Sequence, residues 1–347
     1  MRACSRILVG NMIELDRFEW LSRQTEVAIE PELEIVDAHH HFWDRGGSTY
    51  LAEQLAHDVT SGHRVTQTIF VECMSKYDRT APPHLRPVGE TRFVASQADT
   101  FATLGDTRVS AIIGFADLTL GRHLDETLDS HLAASALFRG VRHATGWDAS
   151  DVVANAHHQP TQGLTSASQF IDGAARLSSR GLTLDVWLYH PQLLELETLA
   201  RQVPDLNIVI NHLGAPLGIG PYADRPDDVR RQWRSNLKKV AELPNIFLKL
   251  GGFGLDEKFG MGWIMLDTPP SSDTVALRWG DDVHWCIETF GPQRCMFESN
   301  FPVDRQSLTY VVLWNACKKM TCGFTPSERA DLFAGTARRA YSFTPCL

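Results

Sequence analysis

The chain has 347 residues, 43% of them hydrophobic, and a formal net charge of −9 with acidic and basic side chains interspersed. That length and apolar content suffice for a globular protein with a large core, and without a lysine or arginine run nucleic acid is not an expected partner. Seven cysteines, an odd number with no C-x-x-C pair, fit neither a disulfide framework nor a cysteine zinc site and suit a reducing compartment.

Residues 1–32 read as an N-terminal arm over the main domain. Met1–Gly10 holds charges and a few apolar residues, but Glu14 and Asp16 interrupt it before a signal-length apolar core develops. No stretch approaches the roughly 20 uninterrupted apolar residues of a membrane span, so the expected location is cytoplasmic with no membrane partner. From residue 33 to 347 the sequence reads as one domain with a repeating rhythm of β-branched runs, polar turns and helical periodicity.

The first predicted strand, 33–38, runs into His39-His40-His41. Side chains alternate along a strand, so His39 and His41 project together and His40 points away. That spacing suits a bidentate metal pair or, equally, a polar strand end. Further strands are predicted at 67–72, 109–116, 138–142, 182–189, 207–211, 245–250 and 293–298. Helices are predicted near 88–104, 122–136, 166–179, 192–203, 226–242, 273–290 and 306–320, with a helical tail over 326–341. Apolar strands alternating with helices indicate a parallel sheet covered on both faces. Eight such units, with no glycine-rich phosphate turn after the first strand, predict an α/β protein of the (β/α)8 TIM-barrel class.

Chemistry in such a barrel belongs at the C-terminal strand ends, and ionisable residues cluster there: His39 and His41, Glu72, Arg142 and His143, His190, His212, Lys249, then Glu298, with the amide Asn300 beside it. Lysine in Phe247-Leu248-Lys249-Leu250 must face a polar cavity or pair with a carboxylate, for which Glu72 is a candidate. His190 also suits a helix cap before Pro191. The long connections 143–165 and 251–272, carrying Trp147 and Trp263, would stand over the barrel mouth. His57, His63, His84, His123, His131, His157, His158 and His284 are assigned surface or capping roles.

Asp37-Ala38-His39-His40-His41-Phe42-Trp43-Asp44, Tyr189-His190-Pro191-Gln192, Asn211-His212-Leu213-Gly214 and Ser299-Asn300-Phe301-Pro302, in this order, resemble the amidohydrolase superfamily, most closely its branch of sugar lactonases and 2-pyrone-4,6-dicarboxylate lactonase. The resemblance runs to the closing segment ending at Tyr341. It implies His39 and His41 as the strand-1 metal pair, with His190 and His212 following strands 5 and 6. Members of the superfamily commonly end strand 8 in an aspartate that binds metal and acts as general base. Here that position is Asn300, and Glu298, on the same strand face, is placed to replace the charge; Asp304, further round the loop, is a second substitute.

The chemistry so implied is hydrolysis of a cyclic ester or related carbonyl bond of a small, carboxylate-bearing molecule, an ester bond before an amide. The cofactor is a divalent metal, zinc by ligand type, whose bound water falls from a pKa of about 15.7 to roughly 7. His39, His41 and His190 are the metal candidates; His212, Glu298, Asn300 and Lys249 the catalytic ones; Arg142, His143, Glu72 and Trp147 the substrate-binding ones. Rival readings are a lyase acting on a small carboxylic acid, a metal-independent lactonase and a non-catalytic binding protein. A homo-oligomer is left open.

Overall fold

The computed structural model describes residues 17–45 and 47–345, so the charged segment Met1–Gly10, half of the arm, Cys4 and Cys346 lie outside the described residues. Eight strands lie in chain order in one parallel sheet: β1 (Glu34–His40), β2 (Arg64–Val71), β3 (Arg108–Gly114), β4 (Phe138–Ala144), β5 (Thr183–Trp187), β6 (Ile208–Ile210), β7 (Ile246–Leu250) and β8 (Cys295–Phe297). Beyond β8 the chain returns to β1. Asn300 N–H donates to His39 O and His41 N–H to Phe301 O, both at 2.8 Å, which brings the sheet close to a closed barrel. A helix follows each strand: α1 (Ala52–Val59), α2 (Val88–Phe101), α3 (Arg122–Ala134), α4 (Ser168–Ser178), α5 (Glu195–Gln202), α6 (Pro226–Ala241), α7 (Ser272–Phe290) and α8 (Tyr310–Met320). This is the (β/α)8 architecture that the alternation predicts.

The sequence reading assigned no element between the first two strands. The structure places there an antiparallel ribbon of Trp43–Arg45 with Ser48–Tyr50, followed by α1. Each ribbon strand is three residues long and α1 only eight, too short for periodicity to stand out. The predicted tail helix over 326–341 is broken into Pro326–Ala330, a π-helical turn Asp331–Gly335 and Thr336–Ala340.

Strand alternation sorts the apolar residues into two cores. Ile35, Phe70, Ile112 and Leu184 face the helices, whereas Val36, Ile69, Ala111, Val209 and Met296 fill the barrel interior together with Ala334, Ala337 and Tyr341 of the closing tail. One irregularity positions the site. Asp37 pairs with Thr68 and His40 with Phe70, so Ala38 and His39 oppose Ile69 alone, a β-bulge, which re-aims side chains at a strand end. Strict alternation would send Asp37 to the same face as His39. Instead, Asp37 accepts hydrogen bonds from Tyr310 of α8 at 3.0 Å and from Ser299 N–H at 2.8 Å, while His39 enters the mouth. His40 packs its ring near Phe42 and Phe70.

The described part of the arm ties the connection after β7 to α7 and α8. Trp20 donates to Leu266 O at 2.8 Å, and Glu26 accepts from the Ser272 backbone at 2.8 Å and from Asn315 at 2.9 Å. The described cysteines, Cys73, Cys286, Cys295, Cys317 and Cys322, are free thiols. Among the described residues no helix is long and apolar enough to cross a membrane.

Candidate active site

At the C-terminal end of the barrel one carboxyl group spans two imidazoles. Glu298, following β8, places Oε1 2.6 Å from His212 Nδ1 and Oε2 2.8 Å from His39 Nδ1, with all three residues buried. Oε1 also accepts from the His212 backbone N–H at 3.1 Å. The exit from β6 is bent to allow this: His212 and Leu213 both take left-handed backbone, at φ of 51° and 59°. Such conformations cost energy in non-glycine residues and concentrate at functional sites.

Around this centre stand two further carboxyl groups, each facing a cation. Glu72 accepts from Arg142 Nε at 2.8 Å, and Arg142 Nη1 reaches to 3.4 Å from His39 Nε2. Burial works to raise the Glu72 pKa, but His157 and Arg142 outweigh it and hold the group well below the usual carboxylate range. Lys249 Nζ lies 2.8 Å from Asp185 Oδ2, and Asp185 accepts also from Asn211 and Tyr341, each at 2.9 Å. Lys249 therefore pairs with Asp185 and not with Glu72. Burial, reinforced by Lys249, holds His39 well below its ordinary value, and burial with Arg142 does the same for His41. Both rings are thus neutral near pH 7, each with one unprotonated nitrogen.

The remaining predicted residues are dispersed. The His41 ring lies 4.8 Å from that of His39, but its nitrogens contact Val71 O at 2.7 Å and Asn300 Oδ1 at 3.3 Å. Asn300 donates to Asp304 Oδ1 at 2.8 Å. His190 Nδ1 accepts from Leu217 N–H at 3.3 Å, its ring centroid is 5.0 Å from Tyr222, and burial pushes its pKa down to about 4. Neither His41 nor His190 joins the group of ligand-type atoms formed by His39, His212 and Glu298. One nitrogen of each ring is committed to backbone, His41 Nδ1 to Val71 O and His190 Nδ1 to Leu217 N–H. His143 sits between Phe115 and Phe170, each 5.2 Å away, on the opposite side of β4 from Arg142. Trp147 is half-buried, and its backbone N–H donates to Gln192 at 2.9 Å.

Sequence reasoning missed four contributors. Asp185 is a charged residue in an apolar strand, the same signal that marked Lys249. Trp187, at the end of β5, sets its ring 4.7 Å from His212. His157 and His158, assigned to surface roles, both turn towards Glu72. His131 is likewise buried, between Thr91 at 2.8 Å and Phe115 O at 2.9 Å.

Residues 36–343 match the amidohydrolase family model. The chain belongs to the amidohydrolase family. Similar family members include an L-fucono-1,5-lactonase of Burkholderia multivorans, 24% identical and covering 88% of this chain and 95% of the relative. An L-rhamnono-gamma-lactonase of Scheffersomyces stipitis is 24% identical over 89% of this chain and 98% of its own. In fold the chain is similar to an amidohydrolase from Burkholderia multivorans solved with bound zinc, with a TM-score of 0.68 and 22% identity over 89% of this chain and 99% of that one.

An amidohydrolase commonly holds a divalent ion, and the residues here can be tested for it. Two imidazole nitrogens and a carboxyl oxygen make a donor set suited to zinc. His39 Nδ1 and Glu298 Oε2 face each other without an aligned hydrogen-bond partner for either, and among the described residues the ion pairs of Glu298 are with histidines alone. The set fits a cation on one condition: His212 Nδ1 must exchange its 2.6 Å contact with Glu298 for the ion. Asn300 adds nothing, because its amide is engaged by His41 and Asp304.

Proposed function

We propose that this amidohydrolase is a lactonase that opens the ring ester of a small, neutral, polyhydroxylated lactone. The observation that carries this reading is the span of Glu298 across His39 and His212. A carboxylate on Nδ1 fixes the imidazole tautomer and leaves Nε2 to take a proton, the geometry of a general base. His212, beside Trp187 at the mouth, is placed to take the proton of the attacking water, and Glu298 steadies the imidazolium that results. Arg142 Nη1, 3.4 Å from His39 Nε2, is a donor placed for the negative charge that develops on the carbonyl oxygen.

His39, His212 and Glu298 are also the residues that would hold a divalent ion. When bound, such an ion polarises a carbonyl and acidifies a water.

The choice of a neutral substrate rests on charge. Arg142 and Lys249, the cations placed to hold a substrate carboxylate, each already face a buried carboxyl group at 2.8 Å. A carboxylate-bearing substrate would have to compete with Glu72 and Asp185. The Trp187 ring offers an apolar wall to one face of a sugar ring. This agrees with the sugar lactones in the names of the two relatives.

The test is a panel of aldonolactones and carboxylated lactones, assayed with chelator-treated and zinc-reloaded protein. Hydrolysis of neutral lactones at a kcat/KM at least about tenfold above the carboxylated ones is expected. Preference for the carboxylated lactones overturns the substrate class, and release of CO₂ from aromatic or β-keto acids without lactone hydrolysis overturns the reaction.

A further inference from the structure

His157 and His158 are the central residues of a turn in the connection after β4, closed by Gln159 N–H donating to Ala156 O at 2.9 Å. Here both Nε2 atoms converge on one buried carboxyl group, that of Glu72 at the end of β2. His157 Nε2 lies 3.3 Å from Glu72 Oε2 and 3.0 Å from Oε1, and His158 Nε2 lies 3.4 Å from Oε2.

These lengths carry the argument. A charge-assisted hydrogen bond draws nitrogen and oxygen to about 2.7–2.9 Å, as around Glu298. A tetrahedral ion with metal–nitrogen and metal–oxygen distances of about 2.0–2.2 Å holds its ligands apart at an edge of about 3.3–3.5 Å. The two Oε2 contacts have the second spacing.

The surroundings are those of a supported ligand set. Arg142 grips Oε1 from Nε at 2.8 Å and donates again to the Glu72 carbonyl, so the carboxyl group is oriented through Oε1, which His157 also approaches at 3.0 Å, while Oε2 faces both histidines. His158 is stacked on Phe115, with ring centroids 3.5 Å apart and planes at 9°, which fixes its ring plane. Burial lowers the His158 pKa, favouring the neutral ring that a metal needs. The His157 side chain is 34% exposed, and this gives an ion a way in from solvent. Ligating carboxylates and imidazoles are held by outer partners in this manner.

We infer that Glu72, His157 and His158 form a second cation site, at the rim of the barrel on the β2–β4 side, selective for a borderline divalent ion such as zinc or cobalt over magnesium or calcium. It shares no ligand with His39, His212 and Glu298 and does not depend on the reaction proposed above. Arg142, which contacts both Glu72 and His39, joins the two.

The test uses the full chain, stripped by chelator, in a His84→Ala background that silences the surface group of His84, His123 and Glu126. Zinc is titrated by calorimetry and cobalt by visible absorption. With His39→Ala added to remove the inner group, one equivalent is expected to bind, with the cobalt bands of a tetrahedral site. His157→Ala and His158→Gln are each expected to weaken that binding at least about tenfold, while magnesium gives no heat. Should His39→Ala not fold, the same site is read in its absence as the loss of one equivalent on His157→Ala. Should His158→Gln not fold, His157→Ala decides, its ring being partly in solvent. Binding of no ion in the His39→Ala protein, or affinity undiminished by His157→Ala, overturns the site.

Discussion

Lys249 Nζ lies 2.8 Å from Asp185 Oδ2 with both side chains fully buried, and Tyr341, from the closing tail, donates to Asp185 from the far side at 2.9 Å. The barrel floor beneath the candidate site thus contains an ion pair clamped by the C-terminal segment. Breaking a buried pair by removing one partner costs roughly 3–5 kcal/mol, because the other charge is left uncompensated. Asp185→Ala strands the ammonium and is expected to lose about that much. Lys249→Met is expected to lose less, since Asp185 keeps its bonds from Asn211 and Tyr341. Urea unfolding of both variants checks this, and the reverse order of stability would refute it.

Lys249 was legible in the sequence because a lysine among Phe247, Leu248 and Leu250 has no cheap place to go, yet its partner was not. Glu72 and Asp185 both end or interrupt apolar strands, and only the closure of the barrel decides that β5 and β7 lie one strand apart while β2 lies across the mouth. Of the residues the strand-end rule singles out, His39, His212, Glu298 and Arg142 lie together at one centre, because the rule depends on local alternation and on the one-way polarity of a parallel barrel. His41 and His190 stand outside that group, each with its Nδ1 held by backbone, Val71 O and Leu217 N–H, a detail of loop geometry. His157 and His158 carry no periodic signal at all; a long loop folds back according to tertiary contacts that no local pattern encodes. The bulge at Ala38–His39 is similarly silent in sequence.

Glu298→Gln keeps the volume but replaces one oxygen with an amide. The amide can still accept from His212 through Oε1, but it cannot stabilise an imidazolium as a carboxylate does. A fall in kcat/KM of about 10²–10⁴ is expected on any lactone the wild type hydrolyses, with zinc binding at the inner group weakened in the same variant. Steady-state kinetics and a zinc titration check the two effects. An unchanged kcat/KM would remove Glu298 from the chemistry.

Acid should destabilise the fold through its buried histidines. Burial pushes His40 down to about 3, and His131, His143 and His190 to about 4. The unfolded chain protonates these rings near the ordinary value of about 6.5. Between roughly pH 6.5 and 4 it therefore binds more protons than the folded chain, so stability falls as pH falls, by at most about 3 kcal/mol per ring. Carboxyl groups raised by burial act oppositely: Asp37 to about 6, Glu90, with Glu72 adding to burial, to about 8, and Asp58, Glu195, Glu257 and Asp304 also upward. Their favourable contribution is present at low pH and lost as pH rises through those values. With His39, His41, His63 and His158 also lowered, and Glu72 and Glu34 held below the usual carboxylate range, the acid-labile groups outnumber the raised carboxyl groups, and the urea midpoint is expected to drop from pH 6.5 to pH 4.5. A flat or rising midpoint would contradict this.

Asn300 tests whether the missing aspartate is a lost ligand or a settled replacement. Its backbone is left-handed at φ 56°, which asparagine and aspartate both tolerate, so Asn300→Asp is conformationally neutral. The difference is electrostatic. Asn300 Nδ2 donates to Asp304 Oδ1 at 2.8 Å, and burial already holds the Asp304 carboxyl well above its usual range. Putting a second carboxyl group at that distance forces one of the pair to stay protonated. The single substitution is therefore expected to leave lactone hydrolysis no faster at neutral pH and to cost about 1–3 kcal/mol. That cost should grow as pH rises, because each raised carboxyl loses its contribution on ionising. Adding Asp304→Asn exchanges donor and acceptor across the same contact and should restore most of the stability. Thermal unfolding of the single and double variants at pH 6 and 8, with lactone assays alongside, gives the answer: a faster and equally stable Asn300→Asp protein would show that the site lacks a carboxylate there.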